Sequence, residues 1–426
     1  MNAFEKVVGY ETIKNEMLQI CDMIHNRDTY ESIGAKLPCG VLLYGTPGIG
    51  KTLMAKCFIE ECGLDTYTIR RNKGTEDFVG EITSTFRKAK ENAPAIIFLD
   101  DMDKFANEDE DRRDAEEYVA IQSGIDEVKG SEVFVLGTAN NIRKLPESLK
   151  RPGRFDRKIE MHNPSPKDAC EIIKHYLKGK KIAEDVNLED ISMTIQYSSC
   201  AELETLLNEA AILAAYSRRT EITMQDMISA ILRMEYEAPD NFSKQSDDER
   251  KGIALHEAGH MVVCEVLCPE SVGIVSLRSS GRDSKEGFVR RCTELPRRPF
   301  DILVSLAGKA AVELYYADAR ASGCQSDVKR AADQIRDAIS ENCVSGFEFM
   351  DVESRYSTSM SESLNSRSES VVHAELERYF FKAKDILLKN RDFLEKTVEA
   401  LLEKETLLYS DVKALRESVT ITEVEV

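Results

Sequence analysis

The chain has 426 residues, 42% of them hydrophobic, which is enough to form two or three domains with apolar cores. Its net charge of −19 argues against nucleic acid as the main partner, because a phosphate backbone attracts a basic surface. The 11 cysteines are scattered and form no Cys-x-x-Cys pair, which predicts reduced thiols in an intracellular protein.

Residues 1–163 are predicted to form an α/β subdomain. Three short apolar runs predict buried strands, at Val41–Tyr44, Ala95–Leu99 and Val133–Leu136. Segments with the 3.6-residue period of helices separate these runs. Such alternation is typical of a parallel sheet with helices on both faces.

Residues 164–238 are predicted to form a small helical subdomain, because Ala201–Tyr216 and Met224–Met234 carry helical patterns. A polar stretch with a proline follows at Glu237–Asn241, and a second polar stretch covers Ser243–Arg250. Their composition predicts a linker or a domain edge.

Residues 239–426 are predicted to form a mainly helical domain. A short β-like interruption covers Val272–Cys292. The serine-rich stretch Ser354–Ser370 predicts a mobile loop. The tail from Ala374 to about Lys404 carries a long, charged helical pattern.

The segment after the first predicted strand matches the phosphate-loop pattern. It consists of Gly45, Thr46, Pro47, Gly48, Ile49, Gly50, Lys51 and Thr52. The glycines let the backbone wrap closely around phosphate oxygens, and the N-terminus of the next helix faces the anion. Lys51 would reach the β- and γ-phosphates, and the Thr52 hydroxyl would bind Mg²⁺. The alternative is a glycine-rich turn that binds no ligand.

Two aspartates, Asp100 and Asp101, directly follow the predicted strand that ends at Leu99. A carboxylate at the tip of a buried strand beside a phosphate loop is the usual second partner of Mg²⁺, and we assign this role to Asp100. Asp101 is placed to polarise the water that attacks ATP. The alternative is a pair of acids at an exposed strand end.

Together with Thr138–Asn140 and Arg151–Arg157, these motifs resemble those of the AAA subfamily of AAA+ ATPases. The resemblance implies that Asn140 senses the γ-phosphate. It also implies that Arg151 and Arg154 are arginine fingers that act on the nucleotide of a neighbouring subunit. An arginine supplied in this way neutralises charge in the transition state. The alternative for both arginines is salt bridging at the surface.

Phe78, Val79 and Gly80 follow a polar segment and precede a predicted helix. They resemble the aromatic pore loop with which AAA+ unfoldases grip a translocating polypeptide. An aromatic ring packs against chains of any sequence, which suits this role. The alternative is that Phe78 is a core residue.

The run His256-Glu257-Ala258-Gly259-His260 matches the zincin pattern. On a helix, histidines four residues apart lie on one face, so both imidazoles can reach one Zn²⁺. Glu257 would take a proton from zinc-bound water as the catalytic base. The alternatives are core histidines or a structural metal site.

A catalytic zinc needs a third protein ligand. The segment Ala321–Asp327 resembles the Ser-Thr-Gly-Ala-x-x-Asp element of the FtsH family of AAA+ zinc proteases. This resemblance implies that Asp327 is the third ligand. Cys324 is a second candidate because its sulfur is a soft ligand, but it occupies a family position that holds a small residue.

The resemblance to the FtsH family extends over nearly the whole chain. It implies an α/β AAA+ ATPase domain with a helical lid, followed by a mainly α-helical, zincin-like peptidase domain. It also implies Zn²⁺, ATP and Mg²⁺ as cofactors, protein substrates, and a homo-oligomeric, hexameric ring. Family members usually carry one or two transmembrane helices before the ATPase domain. No stretch of about 18 uncharged apolar residues occurs here, and we expect a cytoplasmic protein without a membrane segment.

The leading hypothesis is an ATP-dependent, processive zinc metalloprotease that unfolds, translocates and hydrolyses protein substrates. One alternative is an ATP-driven unfoldase or chaperone with weak or no peptidase activity. Another is a zinc peptidase with slow ATP hydrolysis. This second alternative rests on Asp101, which stands where the family has glutamate. A side chain one methylene shorter would hold the attacking water less closely.

Overall fold

The computed structural model describes residues 2–71, 77–106, 115–195, 198–238, 246–278, 287–316, 324–342 and 362–424. The chain divides into two compact units. One comprises Met1–Gly179 and Tyr197–Asn208, and the other comprises Lys180–Gln196 and Glu209–Val426. The predicted domain boundaries after residues 163 and 238 stay predictions.

A five-stranded parallel sheet forms the centre of the first unit. Its strands are β1 (Gly40–Tyr44), β2 (Asp65–Ile69), β3 (Ala95–Leu99), β4 (Val133–Ala139) and β5 (Arg157–Glu160). Across the sheet the order is β2-β3-β4-β1-β5. The three predicted strands are confirmed as β1, β3 and β4. The edge strands β2 and β5 escape prediction because each buries a single residue, Ile69 and Ile159 respectively.

Helices cover both faces of this sheet, as predicted. The first unit contains the helices α1 (Glu11–His25), α2 (Arg27–Ser32), α3 (Lys51–Cys62), α4 (Phe78–Glu91), α5 (Ala115–Glu127) and α6 (Pro166–Leu177). Neighbouring residues of a strand point to opposite faces of the sheet. Leu42 and Ile97 accordingly pack in one apolar core with α4 and α5, whereas Val41 and Ile96 pack in another with α1 and α3.

The second unit is mainly helical. Its helices are α7 (Leu188–Thr194), α9 (Met224–Glu235), α10 (Asp247–Leu267), α11 (Arg298–Tyr315), α12 (Gln325–Asn342), α13 (Glu362–Lys389), α14 (Arg391–Lys404) and α15 (Tyr409–Glu417). The remaining helix, α8 (Cys200–Tyr216), has residues in both units. The largest apolar core of the second unit surrounds α10 and includes residues of α11, α13 and α14. In the described part of the chain, no helix has the length and apolarity needed to span a lipid bilayer.

A small antiparallel sheet also belongs to the second unit. Its strands are β6 (Val272–Ser276), β7 (Phe288–Arg291) and β8 (Thr406–Leu408), in the order β7-β6-β8. β6 and β7 confirm the β-like interruption predicted between Val272 and Cys292. β8 has only three residues, which is too short for an alternating pattern to stand out in the sequence.

Helix α10 begins at Asp247, within the stretch Ser243–Arg250 that the composition predicts to be a linker or a domain edge. The Ser246 amide donates to Oε2 of Glu249 (2.7 Å), and the Glu249 amide donates to Oγ of Ser246 (3.3 Å). This capping box satisfies two amides at the helix start. The linker prediction is therefore wrong from Asp247 onwards, because the polar residues there form the first turn of a helix.

Helix α13 begins at Glu362, so the serine-rich stretch is helical from there to Ser370 and the predicted loop is wrong for that part. Oγ of Ser370 donates to the carbonyl of Ser366 (2.8 Å). Such a bond satisfies the serine hydroxyl inside a helix. A serine-rich composition is therefore compatible with a helix and does not by itself indicate a loop. Residues 354–361 lie outside the described residues.

Candidate nucleotide site and metal centre

The phosphate-loop residues connect β1 to α3 at the carboxyl end of the parallel sheet. Gly45, Gly48 and Gly50 have φ angles of 147°, 80° and 90°, which other residues rarely adopt. Helix α3 begins at Lys51, and its first N–H groups have no partner within the helix. The loop and the helix start therefore form a site that suits an anion such as phosphate.

Lys51 lies inside this loop and is 5% exposed. Its Nζ donates to the carbonyl oxygens of Gly45 (2.8 Å) and Thr46 (2.7 Å). Burial lowers the pKa of Lys51, and the nearby Asp101 carboxylate acts in the opposite direction. The ammonium group is thus held where loop-bound phosphates would meet it.

Asp100 directly follows β3 and is 4% exposed. Its Oδ1 accepts hydrogen bonds from Oγ1 of Thr52 (3.1 Å) and Oγ1 of Thr138 (2.9 Å). The Thr52 hydroxyl and the Asp100 carboxylate therefore meet beside the phosphate loop. Hydroxyl and carboxylate oxygens are ligands that Mg²⁺ prefers.

Asp101 and Asn140 also meet at this edge of the sheet. Nδ2 of Asn140 lies 3.5 Å from Oδ1 of Asp101, and Nζ of Lys104 lies 2.6 Å from Oδ2 of Asp101. The Asn140 amide donates to Oδ1 of Asp103 (2.9 Å), which fixes the backbone after β4. The structure thus brings together the predicted nucleotide residues from the phosphate loop, β3 and β4.

Arg154 forms an ion pair within its own chain. Its Nη2 lies 2.7 Å from Oδ2 of Asp126, and its Nε lies 3.2 Å from Oδ1. This guanidinium group lowers the pKa of Asp126 through its hydrogen bonds. Arg151 is exposed. The salt-bridge alternative thus describes Arg154 in the isolated chain, and the action of both arginines on a neighbouring subunit stays a prediction.

Phe78 lies in the apolar core of the first unit and is 5% exposed. Its ring packs edge-to-face against Phe105, with the ring centres 5.4 Å apart. Val79 and Gly80 belong to the first turn of α4, where the Asp77 carboxylate accepts from the Gly80 amide (2.8 Å). This position favours the core alternative for Phe78, and the pore role of the three residues stays a prediction.

The structure also adds contacts to the phosphate loop that the sequence motifs do not reveal. The Ala201 amide donates to the carbonyl of Gly48 (3.1 Å), and Oγ1 of Thr46 donates to Oδ1 of Asn163 (2.9 Å). Ser199 and Glu202 form a capping box at the start of α8, which the pattern Ser-x-x-Glu could have indicated. That pattern locates the helix start but gives no sign that it touches the loop.

The metal centre is built on α10, which carries His256 and His260 one turn apart. Their Nε2 atoms are 3.0 Å from each other. Oδ2 of Asp327, in the first turn of α12, lies 3.1 Å from Nε2 of His256 and 3.4 Å from Nε2 of His260. Ligands bound tetrahedrally to zinc at 2.0–2.1 Å would be about 3.3–3.4 Å apart, so the three atoms fit one face of such a site.

This donor set suits zinc chemically, since imidazole nitrogen and carboxylate oxygen are both usual zinc ligands. All three side chains are largely buried, with exposures of 15% for His256, 11% for His260 and 6% for Asp327. Within the described ranges, no other group of three or more His, Cys, Asp or Glu side chains converges in this way.

Helix α11 orients the two histidines. Nδ1 of His260 lies 2.6 Å from the carbonyl oxygen of Val304, so Nδ1 carries the proton and donates it, which leaves the lone pair of Nε2 available. Gly308 lies directly against both rings. A Cβ atom at this position would be 2.5 Å from Cε1 of His256 and 2.6 Å from Nε2 of His260, so glycine is required for the helices to approach this closely.

Glu257 follows His256 on α10 and is 6% exposed. It lies against the chain that leads into β7. A Cβ atom at Gly287 would be 2.8 Å from Oε1 of Glu257, so the absence of a side chain at Gly287 leaves room for this carboxylate. The catalytic candidate is therefore enclosed between α10 and the small sheet.

Cys324 lies on the other side of the His256 ring from Asp327. Its Sγ is 3.7 Å from Nδ1 of His256, and burial raises the pKa of its thiol to about 11. Cys324 therefore meets the outer nitrogen of His256, whereas Asp327 meets the nitrogen that faces His260. This geometry supports Asp327 rather than Cys324 as the third ligand.

Comparison with protein families finds a match in each part of the chain. Residues 41–163 match the ATPase family associated with various cellular activities (AAA). Residues 243–415 match peptidase family M41. The first range contains the phosphate loop, and the second contains the histidines and Asp327.

Several bacterial proteins are similar to the chain over 97% of its length. ATP-dependent zinc metalloprotease FtsH 3 of Symbiobacterium thermophilum is 30% identical, and the match covers 71% of that protein. ATP-dependent zinc metalloprotease FtsH 2 of Sphaerobacter thermophilus is 32% identical, with 66% covered. ATP-dependent zinc metalloprotease FtsH of Caldicellulosiruptor bescii is 30% identical, with 71% covered.

Proposed function

The chain belongs to the FtsH family of ATP-dependent zinc metalloproteases, and we propose that it couples ATP hydrolysis in its first unit to the cleavage of proteins at the His256–His260–Asp327 centre. Zinc, ATP and Mg²⁺ are the cofactors of this activity. The ATPase and peptidase parts are both present in the chain.

In the proposed peptidase site, His256, His260 and Asp327 hold the metal. Bound zinc would lower the pKa of a ligated water to about 7 and polarise the peptide carbonyl. Glu257 takes the proton of the attacking water and returns it to the leaving amine. Because this carboxylate is buried on the same helix as the two histidines, it is shielded from bulk solvent and its orientation is restricted.

In the proposed ATPase site, Lys51 and the loop amides bind the phosphates, and Thr52 and Asp100 hold Mg²⁺. Asp101 orients the attacking water, and Asn140 senses the γ-phosphate. These two roles are supported by the position of Asp101 and Asn140, which lie within hydrogen-bonding reach of one another beside the phosphate loop. Asp101 is one methylene shorter than the glutamate of the family, and it pairs with Lys104. Both features would affect the rate of ATP hydrolysis rather than the binding of the nucleotide.

The proposed assembly is a hexameric ring in which Arg151 and Arg154 act on the nucleotide of the next subunit. Arg151 is exposed and therefore accessible to a neighbour. Arg154 would have to leave Asp126 to reach such a nucleotide, so ring assembly and the breaking of this ion pair would be linked.

The proposed substrates are polypeptides that the ring unfolds and threads to the peptidase site for processive cleavage. Phe78, Val79 and Gly80 are the proposed gripping residues, and this role requires Phe78 to move out of the core. We place the protein in the cytoplasm, on the support of its many scattered cysteines, a composition typical of a reducing compartment.

The observation that carries the proposal is the convergence of Nε2 of His256, Nε2 of His260 and Oδ2 of Asp327. The test is casein degradation by protein whose mass in solution has been measured, with and without ATP and a zinc chelator. Degradation should require both ATP and zinc, whereas ATP hydrolysis should survive the chelator. Casein cleavage that persists after zinc removal would overturn the proposal, and loss of folding on zinc removal would point to a structural metal.

A further inference from the structure

The two ligand histidines differ in what holds their outer nitrogens. Nδ1 of His260 donates to the backbone carbonyl of Val304 at 2.6 Å, a usual arrangement for a metal-bound imidazole. Nδ1 of His256 instead faces the sulfur of Cys324 at 3.7 Å. We propose that Cys324 is the outer hydrogen-bond partner of His256 and positions its imidazole for the metal, an inference that rests on the proposed zinc site.

The direction of the hydrogen bond follows from the position of the metal site. Nε2 of His256 faces Asp327 and His260, so Nε2 must supply its lone pair to zinc and Nδ1 must carry the proton. The Nδ1–H group then donates to Sγ of Cys324. Cys324 accepts this bond through a lone pair of its sulfur, which lies 3.7 Å from Nδ1.

The same geometry places the sulfur outside the coordination shell. The bonds that leave an imidazole at Nδ1 and Nε2 diverge, so a metal on Nε2 of His256 lies away from a group on Nδ1. Cys324 is therefore a positioning residue and not a fourth ligand. It leaves the fourth coordination place open, which a catalytic zinc site requires.

One turn of the chain supplies both contacts to His256. Cys324 directly precedes α12, and Asp327 lies three residues later in its first turn. Residues three apart at a helix start lie on one face, so the thiol and the carboxylate reach opposite nitrogens of the same ring. Cys324 is 5% exposed, which shields the weak N–H···S bond from competing water.

Removal of an outer partner typically weakens metal binding 10- to 100-fold. Because sulfur is a weak acceptor, we expect Cys324→Ala to speed zinc dissociation about tenfold, near the lower limit of that range. Cys324→Asn should restore slow dissociation, since its amide oxygen reaches further from Cβ than sulfur does and is a stronger acceptor. Cys292→Ala is the matched control, because Cys292 is also buried in the second unit and bonds the Glu270 carbonyl instead.

The experiment measures the rate of zinc transfer from the zinc-loaded 426-residue chain to a chromogenic chelator. Faster release from Cys324→Ala, with parental rates for Cys324→Asn and Cys292→Ala at equal thermal stability, is the expected result. Release from a folded Cys324→Ala at the parental rate, or equal acceleration by Cys292→Ala, would overturn the inference. A parent that binds no zinc would instead reject the proposed metal site itself.

Cobalt substitution tests the outer position of the sulfur even if Cys324→Ala fails to fold. A thiolate bound directly to Co²⁺ gives an intense sulfur-to-metal charge-transfer band in the near ultraviolet. The cobalt-loaded parent should lack this band and show only ligand-field bands in the visible range. A charge-transfer band that is present in the parent and lost in Cys324→Asn would identify Cys324 as a ligand and refute the outer position.

Discussion

Oδ2 of Asp327 lies 3.1 Å from Nε2 of His256, although 71 residues separate the two in the chain. Helix α10 supplies the histidine, and the start of α12 supplies the carboxylate. Helix α11 lies between these two helices in the sequence. It brings Gly308 against both imidazoles. The metal centre is therefore a product of the packing of three helices.

Glu257→Gln should reduce casein cleavage by a factor of about 10²–10⁴, because glutamine keeps the shape of the side chain but cannot accept the proton. ATP hydrolysis and zinc content should stay at the level of the parent. The check is casein degradation and phosphate release measured on one preparation. Unchanged casein cleavage would remove Glu257 from the reaction.

Gly308→Ala should weaken zinc binding, because its Cβ would lie 2.5 Å from Cε1 of His256 and force the two helices apart. Gly252→Ala is the matched control, since Gly252 is also helical and a Cβ there meets nothing within 4 Å. That control should be neutral or more stable by about 0.5–1 kcal/mol. Zinc titration with a competing chelator compares the variants, and equal zinc affinity of both would contradict the crowding at Gly308.

Asp101→Asn should lower the rate of ATP hydrolysis by a factor of about 10²–10⁴ while ATP binding is kept, because the amide cannot polarise the attacking water. Asp101→Glu measures what the missing methylene costs. A clear rate increase in Asp101→Glu would show that the short side chain limits the motor. The measurement is steady-state phosphate release beside nucleotide affinity, and an active Asp101→Asn variant would rule out Asp101 as the base.

Arg154→Ala should reduce ATP hydrolysis about a thousandfold in the assembled ring. Lys51→Ala should be equally inactive because its own phosphate loop is disabled. If the arginine acts on the neighbouring subunit, rings reassembled from both variants should regain activity, since each Arg154→Ala subunit can borrow the arginine of its partner. Mixed rings that stay inactive, or a fully active purified monomer, would contradict this role.

The fold could be predicted best where burial is strongest. β1, β3 and β4 are continuous apolar runs at the centre of the sheet, whereas β2 and β5 each bury one residue and leave little signal. The helix start at Asp247 was readable in principle from Ser246 and Glu249. The stretch is polar throughout, so its composition alone favours a linker, whereas the spacing of these two residues favours a helix start.

The candidate sites show the same division between local and distant information. The spacing of His256 and His260 on one helix face follows from helix geometry alone. The assignment of Asp327 as the third ligand rests on a resemblance to the FtsH family, because no local pattern links it to residues in another helix. The contact of Cys324 with His256 depends on tertiary packing, and the sequence carries no sign of it. The burial of Phe78 also depends on packing, and the sequence left the core position open beside the pore role.

Anomalous diffraction from crystals of the zinc-loaded chain at the zinc absorption edge tests the central claim most directly. The account predicts one strong peak at about 2.0–2.2 Å from Nε2 of His256, Nε2 of His260 and a carboxylate oxygen of Asp327. A peak at another place, or an Asp327 side chain turned away from the two histidines, would contradict it.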